Sequence, residues 1–366
     1  MTVQGEHAAT AAELAAAVAP PATVRSRGLP PVWAAGATVF TVVAALVGLG
    51  IGPDPISVLA IARAALSHVP LLGVHSTLTS IQSAIVWQLR APRIVLGMLV
   101  GAMLAVAGAS YQGTFRNPLA DPYLLGVSAG AGVGATVVIA FLPSAVGGEL
   151  LPLFAFAGAI AGVAIAYVLG NSVARQGGTA ALILAGVTVA AFMTAIQTFL
   201  QQRQSQTLQE VFSWVLGGLA GATWHQVLLA APWMLVSMAV LVAHRRILDV
   251  LSVGDEEAAS LGVNVRRVRL TIVAAATIGT AAAVAVSGLI GFVGIIVPHT
   301  IRLLVSSSYR AIVPLSLLLG AGFLVLTDVL ARTVLSPAEV PLGVVTAFFG
   351  APFFAVVLRR SRWVDL

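Results

Sequence analysis

Long apolar runs separated by short polar turns cover most of the chain between residues 32 and 358. A helix of about 20 apolar residues crosses the hydrocarbon core of a bilayer. Ten runs approach that length, at 32–52, 93–115, 123–142, 150–170, 179–200, 226–243, 267–288, 290–305, 311–331 and 341–358. The run at 290–305 is short and contains Pro298. The pattern predicts an all-α polytopic membrane protein with about ten transmembrane helices.

The segments outside these runs divide the chain. Residues 1–28 are alanine-rich and lack the basic start of a signal peptide, so we expect a disordered cytoplasmic tail. Residues 29–366 are predicted to form a single transmembrane domain, with a cytoplasmic segment at 244–269. The amphipathic stretch at 56–69 is predicted to lie on the membrane surface.

Composition excludes several classes of function. Hydrophobic residues make up 59% of the chain and charged residues 9%, which is typical of a protein embedded in lipid. The chain has no cysteine, no histidines or acids at metal-ligand spacing, and no lysine for a phosphate-binding loop. We therefore expect no enzyme activity, no metal site and no nucleic-acid partner, and we expect any ATP and Mg²⁺ to bind a separate chain.

The arginines predict the orientation. With both termini in the cytoplasm, fourteen of the 19 arginines fall on the cytoplasmic side and five outside, as the positive-inside rule requires. Arg90, Arg93 and Arg332 are among the exceptions. Arg90 and Arg93 are predicted at the amino-terminal end of a helix, where the helix dipole disfavours cations. They could receive carboxylates of a partner protein or reach lipid phosphates, and Arg332 could instead pair with Asp328.

Polar residues inside the apolar runs suggest further sites. Asp328 is the acid that lies well within a span, and one acid alone does not exclude a proton-coupled carrier. His299 is expected to be a hydrogen-bonded core or capping residue. Four polar residues at helical spacing could line a water-filled path or bond to neighbouring helices: Thr194, Gln197, Thr198 and Gln201.

The segment at 244–269 carries the densest charge between spans. Acidic residues at 255–257 and a glycine at 262 predict the start and the end of a short helix. Such a helix could transmit force from a partner or serve as a solvated connector.

Six stretches resemble the permease subunits of binding-protein-dependent ABC importers for iron–siderophores, haem and cobalamin, the FecCD-type family. They follow one another in the order found in that family, from near residue 32 to near residue 360. The stretches are 87–93 (WQLRAPR), 112–126 (with NPLADP), 214–224, 254–262, 291–299 (GFVGIIVPH) and 340–352.

The resemblance implies the type II ABC importer permease fold and assigns roles to residues. Docking of an extracytoplasmic binding protein is implied for Arg90, Arg93 and Arg332. A gate is implied for Asn117, Leu119, Gly178 and Thr179, and the four polar residues of the fifth span would line the pathway. Contact with the ATPase is implied for Leu248, Gly254, Asp255, Glu256, Glu257, Ala258, Leu261 and Gly262.

By this resemblance, the chain is expected to import an iron–siderophore-type chelate by alternating access across the bacterial inner membrane. Its expected partners are a second copy of itself or a homologous permease, two ATPase subunits and a binding protein. Haem or cobalamin are the alternative substrates within the class. A proton-coupled secondary carrier is the alternative from another class.

Overall fold

A computed structural model describes residues 28–52, 56–67, 75–173 and 179–361, and all regular elements in these ranges are helical. The helices up to residue 203 are α1 Pro31–Gly50, α2 Val58–Leu66, α3 Ser80–Ala84, α4 Ala91–Phe115, α5 Val127–Phe141, α6 Ser144–Val173 and α7 Thr179–Arg203. The helices that follow are α8 Leu208–Val215, α9 Trp224–Ala243, α10 Arg245–Val253, α11 Asp255–Ser260, α12 Val265–Ser287, α13 Val293–Leu304, α14 Tyr309–Thr333 and α15 Leu342–Ser361.

Each predicted span coincides with a helix. In the described ranges, seven helical segments are long and apolar enough to cross a membrane: α1, the continuous helix at 80–115, α6, α7, α9, α12 and α14. Three shorter apolar helices, α5, α13 and α15, account for the other predicted spans. The prediction of an all-α membrane protein with about ten spans is confirmed.

Helix α4 is the centre of the bundle. It packs against α9, α12, α13 and α14, and nearly all of its side chains are buried. In contrast, only a minority of the residues of α1 and α7 are buried, and each helix carries several large exposed apolar side chains. The exposed faces of α1 and α7 are therefore available to lipid or to another chain.

Glycines set the closest helix contacts. A Cβ atom on Gly108 of α4 would overlap the backbone of Gly294 in α13, and one on Gly130 of α5 would overlap the backbone of Gly158 in α6. Without side chains at these positions, the helix backbones touch directly, as small residues permit in membranes. A larger side chain would push each pair of helices apart.

The start of α4 differs from the prediction. A helix beginning near Pro92 was expected, but α3 runs through a π-helical turn at Ile85–Arg90 directly into α4. A π turn relieves the missing N–H and the ring clash that proline causes inside a helix. Arg90 and Arg93 are therefore not at a free helix amino terminus, and that part of the prediction is wrong.

Of the predictions for segments outside the bundle, the structure describes only the amphipathic stretch. Helix α2 covers most of the amphipathic stretch predicted at 56–69, with Ile61 buried. Residues 1–27 of the tail predicted at 1–28, and Gly178 of the predicted gate, lie outside the described residues.

Candidate functional site at the two ends of helix α4

Five charged side chains meet near the start of α4: Arg90, Arg93, Asp328, Arg332 and Glu339, here called the arginine cluster. The guanidinium of Arg93 bridges its two acids. It donates from Nε and Nη2 to the Asp328 carboxylate at 2.8–3.0 Å, and from Nη1 and Nη2 to the Glu339 carboxylate at 2.8 Å. Paired donors on a planar guanidinium make strong and directional contacts with carboxylates.

The other two arginines hold the carboxyl end of α1. Arg90 donates to the carbonyl oxygens of Leu49 at 2.8 Å and Gly50 at 3.2 Å, and Arg332 donates to that of Gly48. The last carbonyl groups of a helix lack partners within the helix and carry partial negative charge, so nearby cations stabilise them. Arg90 and Arg332 therefore cap α1 from two different helical segments.

Exposure varies within the arginine cluster. The side chains of Asp328 and Arg332 are 1% and 6% exposed, that of Arg93 is 12% exposed, and that of Glu339 is 38% exposed. The hydrogen bonds from Arg93 hold the pKa of the Glu339 carboxyl below its ordinary value. The three arginines outnumber the two acids by one charge, so an anion approaching the Glu339 edge meets a net positive site.

The structure brings the three predicted docking arginines together. Arg90 contacts backbone carbonyl groups and Arg93 contacts two carboxylates within the chain, which argues against the alternative that these two arginines reach lipid phosphates. The predicted pair of Arg332 with Asp328 is present at 3.6 Å, although Arg93 makes the shorter contacts. Glu339 was not predicted as part of this site, although its position directly before the 340–352 stretch could have indicated it. Docking itself stays a prediction.

At the other end, α4 stops at Arg116, which has a left-handed backbone conformation with φ of 50°. In the turn that follows, the Asn117 Oδ1 atom accepts a hydrogen bond from the Leu119 N–H at 2.9 Å. Leu119 is 39% exposed. The Asp121 Oδ1 atom accepts from the Tyr123 N–H at 2.8 Å, and burial raises the pKa of the Asp121 carboxyl to about 6. The turn is thus ordered by its own side chains.

Tyr123 fixes this turn to a second loop. Its hydroxyl donates to the Ile290 carbonyl at 3.1 Å and accepts from the Ile290 N–H at 3.2 Å, which joins the turn to the loop between α12 and α13. In the second half of the predicted gate, Thr179 is the first residue of α7. The gate assignment for Asn117, Leu119, Gly178 and Thr179 stays a prediction.

Helices α10 and α11 lie beyond the same end of α4. Acidic residues open α11, and Gly262, with φ of 81°, follows its end, so the predicted short helix is confirmed. Leu248, Gly254 and Ala258 are buried and attach the two helices to the bundle. The exposed residues are Val253, Glu256, Glu257, Leu261 and Gly262, with Val253 at 70% and Leu261 at 72%. Some of the eight predicted coupling residues thus attach the two helices to the bundle, and others are exposed on the surface. Their coupling role stays a prediction.

Asp255 joins three helices at the Asp255 junction, which consists of Arg116, Asp255 and Arg269. Arg269 of α12 donates to both carboxylate oxygens of Asp255 at 2.9 Å, and Arg116 at the end of α4 lies 3.6 Å from the same carboxylate. The first residue of α11 is therefore in contact with the residue that ends α4. Arg116 and Arg269 were not singled out from the sequence.

Asp249 in α10 makes a second connection. Its carboxylate accepts hydrogen bonds from the Ser308 hydroxyl at 2.8 Å and from the Tyr309 N–H, and it lies 3.3 Å from the Arg310 guanidinium. Ser308 and Tyr309 are the capping and first residues of α14, so Asp249 satisfies the start of that helix. The sequence contained no local signal for this contact, because 59 residues separate Asp249 from Ser308.

The predicted polar stripe of α7 is divided. Thr194 and Thr198 are exposed, and the Thr198 hydroxyl donates to the Thr194 carbonyl at 2.9 Å. Gln197 and Gln201 are half-buried, and the Gln197 side chain lies over Gly132 of α5. Gln197 therefore packs against a neighbouring helix, while the threonines face outward from the single chain. A pathway-lining role for the four residues stays a prediction.

His299 does not meet the expectation of a hydrogen-bonded residue. Neither ring nitrogen has a hydrogen-bond partner among the described residues. The ring instead packs edge-on against Phe353 of α15, with 6.1 Å between centroids. Within the described ranges, no group of three or more histidines, cysteines and acids is placed to hold a metal ion.

The fold is that of a polytopic membrane permease, and comparison with known proteins identifies its family. A model of the FecCD transport family matches residues 40–360, so the chain belongs to that family. The chain is therefore an ABC importer permease subunit, a class in which a separate chain hydrolyses ATP.

Relatives in this family carry different substrate names. The cobalamin import system permease BtuC of Halobacterium salinarum is 40% identical over 357 residues, covering 89% of this chain and 95% of the relative. The hemin transport permease HmuU of Yersinia pestis is 40% identical, covering 76% and 84%. A solved metal-chelate type ABC transporter in an inward-facing conformation has a TM-score of 0.78 at 31% identity, covering 90% and 100% of the two chains.

Proposed function

We propose that this chain forms the membrane pathway for an iron–siderophore-type metal chelate and moves it into the cytoplasm by alternating access. The main observation that supports this proposal is that one helix, α4, connects the arginine cluster to the Asp255 junction. In this proposal the arginine cluster faces outward, both termini are cytoplasmic, and α10 and α11 contact two ATPase subunits. Movement of α11 would reach the turn at 117–122, here called the gate turn, through Asp255 and Arg116.

Docking of the binding protein is assigned to the Glu339 edge of the arginine cluster. Arg90 and Arg332 are committed to the end of α1, so charge reversal there would disrupt the fold. We therefore expect Glu339→Gln, which adds one net positive charge at the most exposed position, to strengthen association with an acidic binding protein. The gain should fall with added salt. Glu210→Gln in α8 is the matched control elsewhere, and equal affinity for both variants would contradict the assignment.

A second copy of the chain is proposed as the other half of the pathway. Helices α7 and α15 carry large exposed apolar residues, including Phe192 at 65% and Phe348 at 74%. Thr194 and Thr198 lie on α7 and would face the space between the two copies. A chain that elutes and crosslinks only as a monomer in nanodiscs would contradict the homodimer.

The transport test uses proteoliposomes that contain the chain, its ATPase and its binding protein. Uptake of a radiolabelled ferric siderophore should require ATP and should stop with a hydrolysis-deficient ATPase. Uptake driven by a proton gradient without the ATPase would instead support the secondary carrier. Haem and cobalamin are measured in parallel, because relatives named for both substrates share about 40% identity with this chain.

A further inference from the structure

A groove of about 590 Å³ runs between α9 and α12 on the surface of the bundle. Its walls are almost entirely apolar, with Trp233 and Val236 on one side and Leu270 on the other exposed by 53%, 65% and 45%. The hydroxyl of Thr271, which also lines the groove, donates to a backbone carbonyl at 3.0 Å within its own helix. The groove therefore offers an apolar surface to whatever occupies it.

Two arginines continue the groove beyond its end. On α12 the lining residues are Leu270, Thr271, Ala274, Ala275 and Ile278, which share one face of the helix. One turn earlier on that face, four residues before Leu270 and Thr271, are Arg266 and Arg267. The apolar stripe of α12 thus ends in two adjacent cations.

Within the described ranges, no acid neutralises the charge of these two arginines. Arg266 and Arg267 are exposed and have no acidic partner among the described residues, whereas Arg269 is paired with Asp255 at 2.9 Å. The other wall ends similarly, because α9 stops at Ala243 and α10 starts with Arg245 and Arg246. Both walls of an apolar groove therefore lead to positively charged side chains at one end.

The dimensions match one leaflet of a bilayer. Twelve residues separate Ile278 from Arg266, which at 1.5 Å per helical residue is about 18 Å. Half of the hydrocarbon core is about 15 Å. An acyl chain lying along the groove would thus place its headgroup at the level of the arginines.

We propose that this groove binds one anionic phospholipid, with an acyl chain between α9 and α12 and its phosphate against Arg266 and Arg267. The inference rests on the proposed function in one respect, since the proposed orientation makes this lipid a member of the cytoplasmic leaflet. Bound there, the lipid covers the contact between α9, which precedes α10, and α12, which follows α11. Its binding is measured on the permease alone, so failure of the transport proposal would leave the lipid measurement unaffected.

The test measures which phospholipid stays bound to the purified chain. The delipidated protein is mixed with equal amounts of dioleoyl phosphatidylglycerol and dioleoyl phosphatidylethanolamine, and retained lipid is counted by native mass spectrometry. We expect phosphatidylglycerol to be retained about tenfold over phosphatidylethanolamine, because each basic residue near a headgroup favours the anionic lipid. Arg266→Gln with Arg267→Gln should remove most of the preference. The control is Arg63→Gln with Arg203→Gln, which removes the same charge from the side of the protein predicted to face outward. This variant should keep the preference for phosphatidylglycerol.

Quenching of Trp233 fluorescence locates the bound lipid. Phosphatidylglycerol with brominated acyl chains should quench the part of the emission that Trp233→Phe removes, and the Arg266 and Arg267 variants should lose this quenching. Equal retention of both lipids by the unmodified chain, or unchanged preference in the double variant, would overturn the proposal. So would competition by glycerol phosphate as strong as that by the lipid, which would indicate a site for a free anion. Loss of ATPase binding in the double variant with lipid retention unchanged would assign these arginines to the ATPase instead.

Discussion

The two ends of α4 hold charged groups in opposite ways. At the amino-terminal end, the arginine cluster buries Asp328 and Arg332 and fixes the end of α1 through three backbone carbonyl groups. At the carboxy-terminal end, Asp255 is 41% exposed and Arg116 is 45% exposed, and their contact at 3.6 Å is long. Buried charges tolerate little rearrangement, because separating them leaves a charge without compensation in a medium of low polarity. Exposed pairs can separate at small cost, because water replaces the lost partner.

This difference suggests which end of α4 moves. The arginine cluster should stay intact while α11 and the gate turn move relative to it. The predictions below test that contrast, from the largest expected effect to the smallest.

Asp328→Asn should have the largest effect on stability. The substitution leaves Arg93 and Arg332 without their shared buried carboxylate, which should lower the free energy of unfolding by about 3 kcal/mol or more. The measurement is unfolding of the detergent-solubilised chain by heat or by SDS. Glu339→Gln is the control, since its side chain is more exposed and should cost less than about 1 kcal/mol. Equal losses from both substitutions would show that burial does not distinguish the two acids.

Asp249→Asn should have an intermediate effect. The variant loses charged hydrogen bonds to the start of α14, which should lower the free energy of unfolding by about 1–2 kcal/mol. The same unfolding measurement applies. Ser308→Ala keeps the bond from Tyr309 but also removes the hydrogen bond that the Ser308 hydroxyl accepts from the Arg310 N–H at 3.3 Å, so its loss should not exceed that of Asp249→Asn. A variant as stable as the original chain would argue that Asp249 does not support α14.

Asp255→Asn should change stability by less than about 1 kcal/mol, because the junction is half-exposed. Its main effect should be on coupling, since α11 would lose its charged contacts with α4 and α12. The measurement is the number of ATP molecules hydrolysed for each substrate molecule taken up, which should rise. Glu210→Gln, which lies in α8 and outside α10 and α11, is the control and should leave this ratio unchanged. A normal ratio in the Asp255 variant would sink the proposed link to the gate turn.

The smallest expected effect is on pH dependence. Arg93 lowers the pKa of Glu339 in the folded chain, so this contact stabilises the fold above the ordinary glutamate pKa and is lost as the pH falls through the folded value. The unfolding temperatures of the original chain and of Glu339→Gln should therefore differ at pH 6 and converge only as the pH falls below the ordinary glutamate pKa. A difference that stays constant over this range would mean that the charge of Glu339 does not matter.

The apolar pattern predicted the spans well, because each helix must satisfy its own backbone hydrogen bonds within the membrane. The acidic residues at 255–257 and Gly262 predicted α11 correctly, because acids favour the start of a helix and glycine its end. The predicted start of α4 was too late in the chain. Proline is common in the first turn of a helix, so Pro92 suggested a start there, and nothing local indicates the π turn that precedes it. The expectation that His299 is hydrogen-bonded was also wrong, because the described part of the chain provides no partner for its ring nitrogens.

The sequence alone determined the fold class, the number of spans and the positions of the arginines, because these depend on composition and on local periodicity. Only the tertiary structure decided what those arginines contact. Arg93 meets Glu339 across 246 residues, Arg332 meets the end of α1 across 284 residues, and Asp249 meets Ser308 across 59 residues. Such pairings follow from the way helices pack, and helix packing depends on the whole set of side chains and glycine contacts at once.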